Sequence, residues 1–234
     1  MAQHDKVTAV VLAAGRGSRM RSSLQKQFMM LHGYPVVYYA LKSFQDSVVD
    51  DIVLVTGAGE IEYCQQEIVK KYGLDKVSQV ISGGKERYES VYQAIAAIQD
   101  AAYVMIHDGA RPFITEDMIE RSITAVKEHG ACTVAVPVKD TIKEVAPNGF
   151  GIKTLDRSVL WNVQTPQTFT HTLIKSAYLK MMEQGDTDVT DDTMIVEHYM
   201  GHSVKVIMGD YNNLKITTPE DMKMAEYLAF QGIK

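Results

Sequence analysis

Short apolar runs alternate with longer amphipathic stretches along this 234-residue chain. The runs rich in β-branched residues read as buried strands at Thr8–Ala13, Asp51–Thr56, Lys76–Ile81, Tyr103–Ile106, Cys132–Val136 and Val204–Met208. Between them, apolar positions recur at three- and four-residue spacing. That period predicts helices over Val36–Phe44, Glu60–Tyr72, Tyr88–Ile98, Glu116–His129, Leu173–Met182, Thr190–Tyr199 and Pro219–Phe230. Thr115 ahead of Glu116 and Thr218 ahead of Pro219 are helix-start signals. Such alternation predicts an α/β fold, a mostly parallel sheet with helices on both faces. The chain has no internal repeat, low-complexity run or Pro/Gly/Ser linker, so a single domain over residues 1–234 is expected.

One segment breaks the alternation. Lys139 to Arg157 holds two short β-prone runs around Pro147-Asn148-Gly149, which is hairpin chemistry. It is too polar to line a core, and an isolated two-stranded hairpin is marginal in water. Either it is a surface loop, or it is an arm on which a second subunit packs; the arm is the reading favoured here.

Composition narrows the partners. A net charge of −5 with no basic tract argues against nucleic-acid or anionic-membrane binding, so a phosphate ligand would need a local cluster of cations. Cys64 and Cys132 are far apart and sit in apolar segments, which indicates core thiols rather than a disulfide framework or zinc site. The first apolar run is about eight residues long and leads straight into Gly15, Arg16 and Arg19, unlike a secretory leader, and no stretch approaches the length of a membrane span. A cytoplasmic protein is expected.

The candidate chemistry lies where the runs end. Ala13-Ala14-Gly15-Arg16-Gly17-Ser18-Arg19-Met20, closing at Lys26, follows the first strand. Glycines there let backbone N–H groups approach phosphate oxygens, while Arg19 and Lys26 supply a planar fork and a mobile point charge. The spacing lacks the Gly-Lys-Ser/Thr ending of a Walker loop and the third glycine of a dinucleotide fingerprint, which disfavours a dehydrogenase. On its own it also fits an ordinary Gly-rich turn.

His107-Asp108-Gly109-Ala110-Arg111-Pro112 follows another strand. Asp108 there suits a Mg²⁺ that completes its shell with phosphates and water, or a simple turn cap; Arg111 suits a structural ion pair. Ser82-Gly83-Gly84 ahead of Ser90 lets a base or ribose lie against the backbone, or makes an ordinary capped turn. Asp140-Thr141-Ile142-Lys143, Asp156-Arg157 and Gln164-Thr165-Pro166-Gln167 flank the hairpin. Thr187 to Asp192 reads as a helix cap with Thr190 as a hydroxyl contact, and Lys215 precedes the last helix.

Taken in order, AAGRGSRM…KQF, SGGKER, HDGARPF, PVKDTIK, TLDR, QTPQTF, TDD and NLKITTPED resemble the 2-C-methyl-D-erythritol 4-phosphate cytidylyltransferase family over about Val7 to Ala229. The resemblance implies a Rossmann-like fold with a protruding β-arm, a homodimer, Mg²⁺ dependence, and a reaction of CTP with the polyol phosphate that releases pyrophosphate. It further implies that Ala13, Ala14, Gly15, Gly83 and Ser90 hold cytidine and ribose. Arg19, Lys26 and Lys215 would neutralise the triphosphate and transition state, and Asp108 would bind Mg²⁺. Thr141, Arg157, Thr165 and Thr190 would contact the polyol phosphate, the first two from the neighbouring subunit's arm. A ribitol 5-phosphate cytidylyltransferase is the nearest alternative, but PVKDTIK and TLDR favour methylerythritol. A non-catalytic nucleotide-binding regulator is the other; it would be expected to have lost Lys26, Asp108 or Lys215, and all three are present.

Overall fold

The computed structural model describes residues 4–15, 20 and 25–232. In chain order these form β1 (Val7–Ala13), a one-turn helix at Lys26–Phe28, the short hairpin β2 (Met30–Leu31) and β3 (Tyr34–Pro35), α1 (Val36–Asp46) and β4 (Asp51–Thr56). There follow α2 (Ile61–Tyr63), continued as a π-helix over Cys64–Lys70, then β5 (Val77–Ser82), α3 (Arg87–Ala97), β6 (Tyr103–Asp108), α4 (Glu116–His129) and β7 (Ala131–Pro137). The arm strands β8 (Lys143–Val145) and β9 (Gly151–Thr154) precede β10 (Trp161–Thr170), α5 (His171–Gln184), α6 (Asp192–Met200), β11 (Lys205–Met208) and α7 (Pro219–Phe230).

Seven strands make the central sheet in the order β11-β7-β10-β6-β1-β4-β5. All are parallel except β10, which runs antiparallel between β6 and β7. Both faces are buried, as parallel sheets require. Val11, Leu54 and Met105 pack with Leu41, Phe44, Ile68 and Met118 on one face. Val10, Val53 and Ile106 pack with Val91, Tyr178 and Val196 on the other. A third cluster joins Met20, Leu31 and Val36 to Phe113, Ile216, Met222 and Leu228, and so pins the segment ahead of α7. Each fully buried Leu, Val, Ile or Phe contributes about 1.5–3 kcal/mol.

Register places the site. Leu12 lies opposite Asp108, Ala13 opposite Thr56, and Thr56 opposite Ser82, so four chain segments leave the sheet side by side at its carboxyl edge. Ligands in open α/β sheets bind there.

Four expectations need correction. The strand Trp161–Thr170 was not among those expected, because Asn162, Gln164, Gln167 and Thr168 give it no apolar alternation and Pro166 reads as a breaker; Pro166 lies in the register shift between Val163 and Gln167. β6 extends through His107 and Asp108, so these residues end the strand rather than follow it. The helix expected over Glu60–Tyr72 is mostly π-helical. Finally, α6 begins at Asp192 rather than Thr190; the cap expected within Thr187 to Asp192 is the Asp191 carboxylate, which accepts from Met194 N at 2.9 Å.

The hairpin is present. Lys143 pairs with Thr154, and Glu144 with Lys153. Gly149 closes the turn at φ +86°, a left-handed conformation suited to glycine, with its N–H donating to Ala146 O at 2.9 Å. Val145, Phe150 and Ile152 are 54%, 75% and 63% exposed on it. Among the described residues, no helix is long and apolar enough to cross a membrane.

Candidate active site

A cleft opens over the carboxyl ends of β1, β5 and β6. Ala13, Ala14 and Gly15 form one wall, Gly84 to Arg87 and Ser90 the other, and Lys26, Asp108 and Lys215 reach in. The Gly83 backbone is tightly enclosed: a Cβ there would sit 2.6 Å from Ser90 Oγ and 2.7 Å from the Ala14 methyl, so only glycine lets the two walls close this far. Ser90 Oγ accepts from Gly84 N at 3.1 Å and donates to Glu86 O at 3.2 Å, fixing the second wall.

Asp108 is the electrostatic centre. Lys215 Nζ lies 2.8 Å from its Oδ2, Arg111 Nε 3.7 Å from the same oxygen, and Arg87 Nε 3.4 Å from Oδ1. Burial by itself would raise the Asp108 pKa. The fields of Arg87, Lys215 and Arg111 outweigh that and hold the carboxyl well below the usual carboxylate range. Arg87 also grips Asp192 bidentately at 2.9 and 2.7 Å, and Asp192, with no exposed side-chain surface, accepts from Tyr178 OH at 2.6 Å. Arg87 therefore ties the strand-end carboxylate to the start of α6.

A second cleft adjoins the first. It is lined by Gln164, Thr165 and Gln167 of β10 and by Thr190 and Asp191, and it shares Arg87, Asp108 and Lys215 with the first. Lys215 is held between two anchors. Buried Asn213 donates to Thr165 O at 2.9 Å and to Gln164 Oε1 at 3.2 Å, and Ile216 N donates to Ala110 O at 2.8 Å. Arg111 Nη1 adds a bond to Asn213 O at 2.7 Å.

His107 is no base. Burial pushes its pKa down to about 4, so the ring is neutral. Arg111 O can only accept, so Nε2 carries the ring proton across 3.1 Å and Nδ1 accepts from Thr165 Oγ1 at 3.1 Å. Thr165 Oγ1 in turn accepts from Asp108 N at 3.1 Å.

Of the residues singled out from sequence, Ala13, Ala14, Gly15, Gly83, Ser90, Lys26, Asp108 and Lys215 are brought together at the first cleft. Thr165 and Thr190 are brought to the second. Thr141 and Arg157 are exposed on the arm and line neither; Arg157 Nη1 donates to Lys139 O at 2.8 Å. Arg19 lies outside the described residues. Sequence reading missed Arg87, Asp192 and Gln167. Gln167 accepts from Asp192 N at 3.0 Å and donates to Asp191 Oδ2 at 2.9 Å. All three sat inside quoted motifs, but their pairing spans up to 105 positions and has no local signature.

The whole arrangement is that of one enzyme family. The family model described as "IspD: 2-C-methyl-D-erythritol 4-phosphate cytidylyltransferase" matches residues 7–230. This chain belongs to that family. A 2-C-methyl-D-erythritol 4-phosphate cytidylyltransferase from Clostridium novyi is 50% identical over 222 residues, covering 94% of this chain and 95% of the relative. One from Alkaliphilus oremlandii is 49% identical, covering 94% of each. The crystal structure of 4-diphosphocytidyl-2C-methyl-D-erythritol synthase from Anaerococcus prevotii superimposes with a TM-score of 0.84 at 30% identity, over 97% of this chain and 96% of that one.

Proposed function

We propose that this chain transfers the cytidylyl group of CTP to 2-C-methyl-D-erythritol 4-phosphate and releases pyrophosphate, as a cytoplasmic step of non-mevalonate isoprenoid biosynthesis. Family membership makes it a nucleotidyltransferase. The observation that carries the reading is the meeting of two clefts across Arg87, Asp108 and Lys215: one opens on a glycine-bearing loop suited to a triphosphate, the other on hydroxyls and amides suited to a polyol phosphate.

The chemistry follows from that placement. A phosphate monoester is an anion near neutral pH and needs no base. Its oxygen attacks the α-phosphorus of CTP, the bond to the β-phosphate oxygen breaks, and pyrophosphate carries away the electron pair. Two anions must be brought together, so catalysis is positioning and charge neutralisation. Lys215 and Lys26 neutralise the phosphates, with Arg19 assigned the same role. Ala13, Ala14, Gly15, Gly83 and Ser90 hold the nucleoside; Thr165 and Thr190 face the acceptor.

Among the described residues no cluster of three or more His, Cys, Asp or Glu gathers at a metal site. Asp108, the carboxylate shared by the two clefts, fits a Mg²⁺ that would take its remaining ligands from phosphates and water. When bound, Mg²⁺ supplies further charge neutralisation at the phosphates.

The exposed apolar side chains of the arm support a homodimer in which Thr141 and Arg157 complete the partner's acceptor cleft. Pyrophosphate release from CTP, UTP, ATP and GTP, each with methylerythritol phosphate or ribitol 5-phosphate, tests the assignment. CTP with methylerythritol phosphate should exceed every other pair by about 10-fold or more in kcat/KM. Equal use of UTP, or preference for ribitol phosphate, would overturn it.

A further inference from the structure

Gln27 is 2% exposed, immediately after Lys26, and its side chain turns away from solvent. Its Nε2 donates to Ala13 O at 2.6 Å and to Gly15 O at 3.0 Å, the carbonyls of the loop that walls the nucleotide cleft. The Gln25 amide oxygen also accepts from Gln27 Nε2, and Gln25 Nε2 donates to Glu60 Oε1. Glu60 Oε2 accepts from Thr56 Oγ1 and Gly57 N, both at 3.0 Å, at the end of β4. Thr56 O then accepts from Gly83 N at 2.7 Å. A continuous set of contacts thus links the loop at 13–15 to Gly83 on the other wall.

We propose that Gln27 is a positioning residue for the nucleotide's polyphosphate. A planar peptide presents its carbonyl and the neighbouring N–H on opposite sides. Tying the Ala13 and Gly15 carbonyls inward keeps two partial negative charges away from an arriving polyanion and leaves the Ala14 N–H to face it. Only a neutral amide suits the position. It offers two donors, whereas a carboxylate offers none and would face two carbonyl oxygens. A lysine there would bury a charge without a counter-ion. The inference rests on the proposed reading that the cleft binds a nucleoside triphosphate.

The test compares wild type with Gln27→Met, which keeps the length and removes the donors, and Gln25→Met, which removes the bridge from Gln27 to Glu60 and leaves the Ala13 and Gly15 carbonyls tied. Binding of CTP and ATP is measured by calorimetry, and binding of cytidine by ligand-observed NMR. Gln27→Met should weaken the preferred triphosphate about 10-fold or more, and Gln25→Met about 3-fold, while cytidine affinity stays within about 2-fold. Unchanged triphosphate affinity in Gln27→Met, or equal losses for triphosphate and cytidine, would overturn the proposal. If Gln27→Met fails to fold, Gln25→Met decides on the same ratio. Preference of wild type for ATP would instead overturn the cytidylyl reading, while the ratio between triphosphate and nucleoside would still judge Gln27.

Discussion

Replacing Asp192 by asparagine tests the buried pairing on which the site is built. Asp192 accepts two bonds from Arg87, at 2.9 and 2.7 Å, and one from Tyr178 OH at 2.6 Å, with no solvent contact at its side chain. Asparagine fills the same volume, but its NH₂ faces the guanidinium in either orientation, so one of the two Arg87 bonds is lost and the 3.4 Å contact to Asp108 is left as the ion pair of Arg87. Breaking a buried ion pair by removing one partner costs about 3–5 kcal/mol. At roughly 2–4 °C per kcal/mol for a chain of this size, Tm should fall by about 6–20 °C. Scanning calorimetry at neutral pH reads the shift, and guanidinium titration checks that the m-value is unchanged. The double variant Arg87→Met/Asp192→Leu removes both charges and should be more stable than Asp192→Asn alone, because no charge is left unpaired. A Tm within about 2 °C of wild type for Asp192→Asn, or a double variant less stable than the single, would refute the reasoning.

Three further outcomes are expected. Lys215→Ala should lower kcat about 10²-fold with a smaller change in the KM for CTP, the pattern of a lost transition-state contact, and steady-state kinetics with a folding control checks it. Burial pushes the Cys132 thiol up to about 12 and raises Cys64 as well, so the reactive thiolate is scarce at pH 8; Ellman's reagent should titrate neither thiol in the folded protein and both after denaturation. Asp108→Asn and Arg157→Ala homodimers should each be nearly inactive, yet equal mixing with subunit exchange should restore about a quarter of wild-type activity, since about half the dimers are mixed and each holds one intact site. Demonstrated exchange without recovery would remove Arg157 from the partner's site.

The parallel frame was legible because its strands are buried on both faces and read as uninterrupted apolar runs, as in Ala9 to Leu12 and Ile52 to Val55. The loop at 13–15, Asp108 and Lys215 were legible as members of an ordered set of motifs, since each alone also fits a turn, a cap or surface charge. β10 was not. It lies in the middle of the sheet, yet Gln164, Thr165 and Gln167 are buried for their hydrogen bonds to Asn213, His107 and Asp192 rather than for apolar contact, so neither period appears. Arg87 and Gln27 escaped for a related reason: what each does is set by partners that only the fold supplies. Arg87 meets Asp192 across 105 positions, and Gln27 reaches back to Ala13 across 14.

The central claim is that the polyol phosphate attacks the α-phosphorus of CTP. Incubation with CTP labelled at either the α- or the γ-phosphate, with 2-C-methyl-D-erythritol 4-phosphate as acceptor, tests this most directly. The account predicts α-label in the polyol product and γ-label only in pyrophosphate. Transfer of γ-label to the polyol phosphate, or release of both labels as free phosphate and nucleotide, would contradict it.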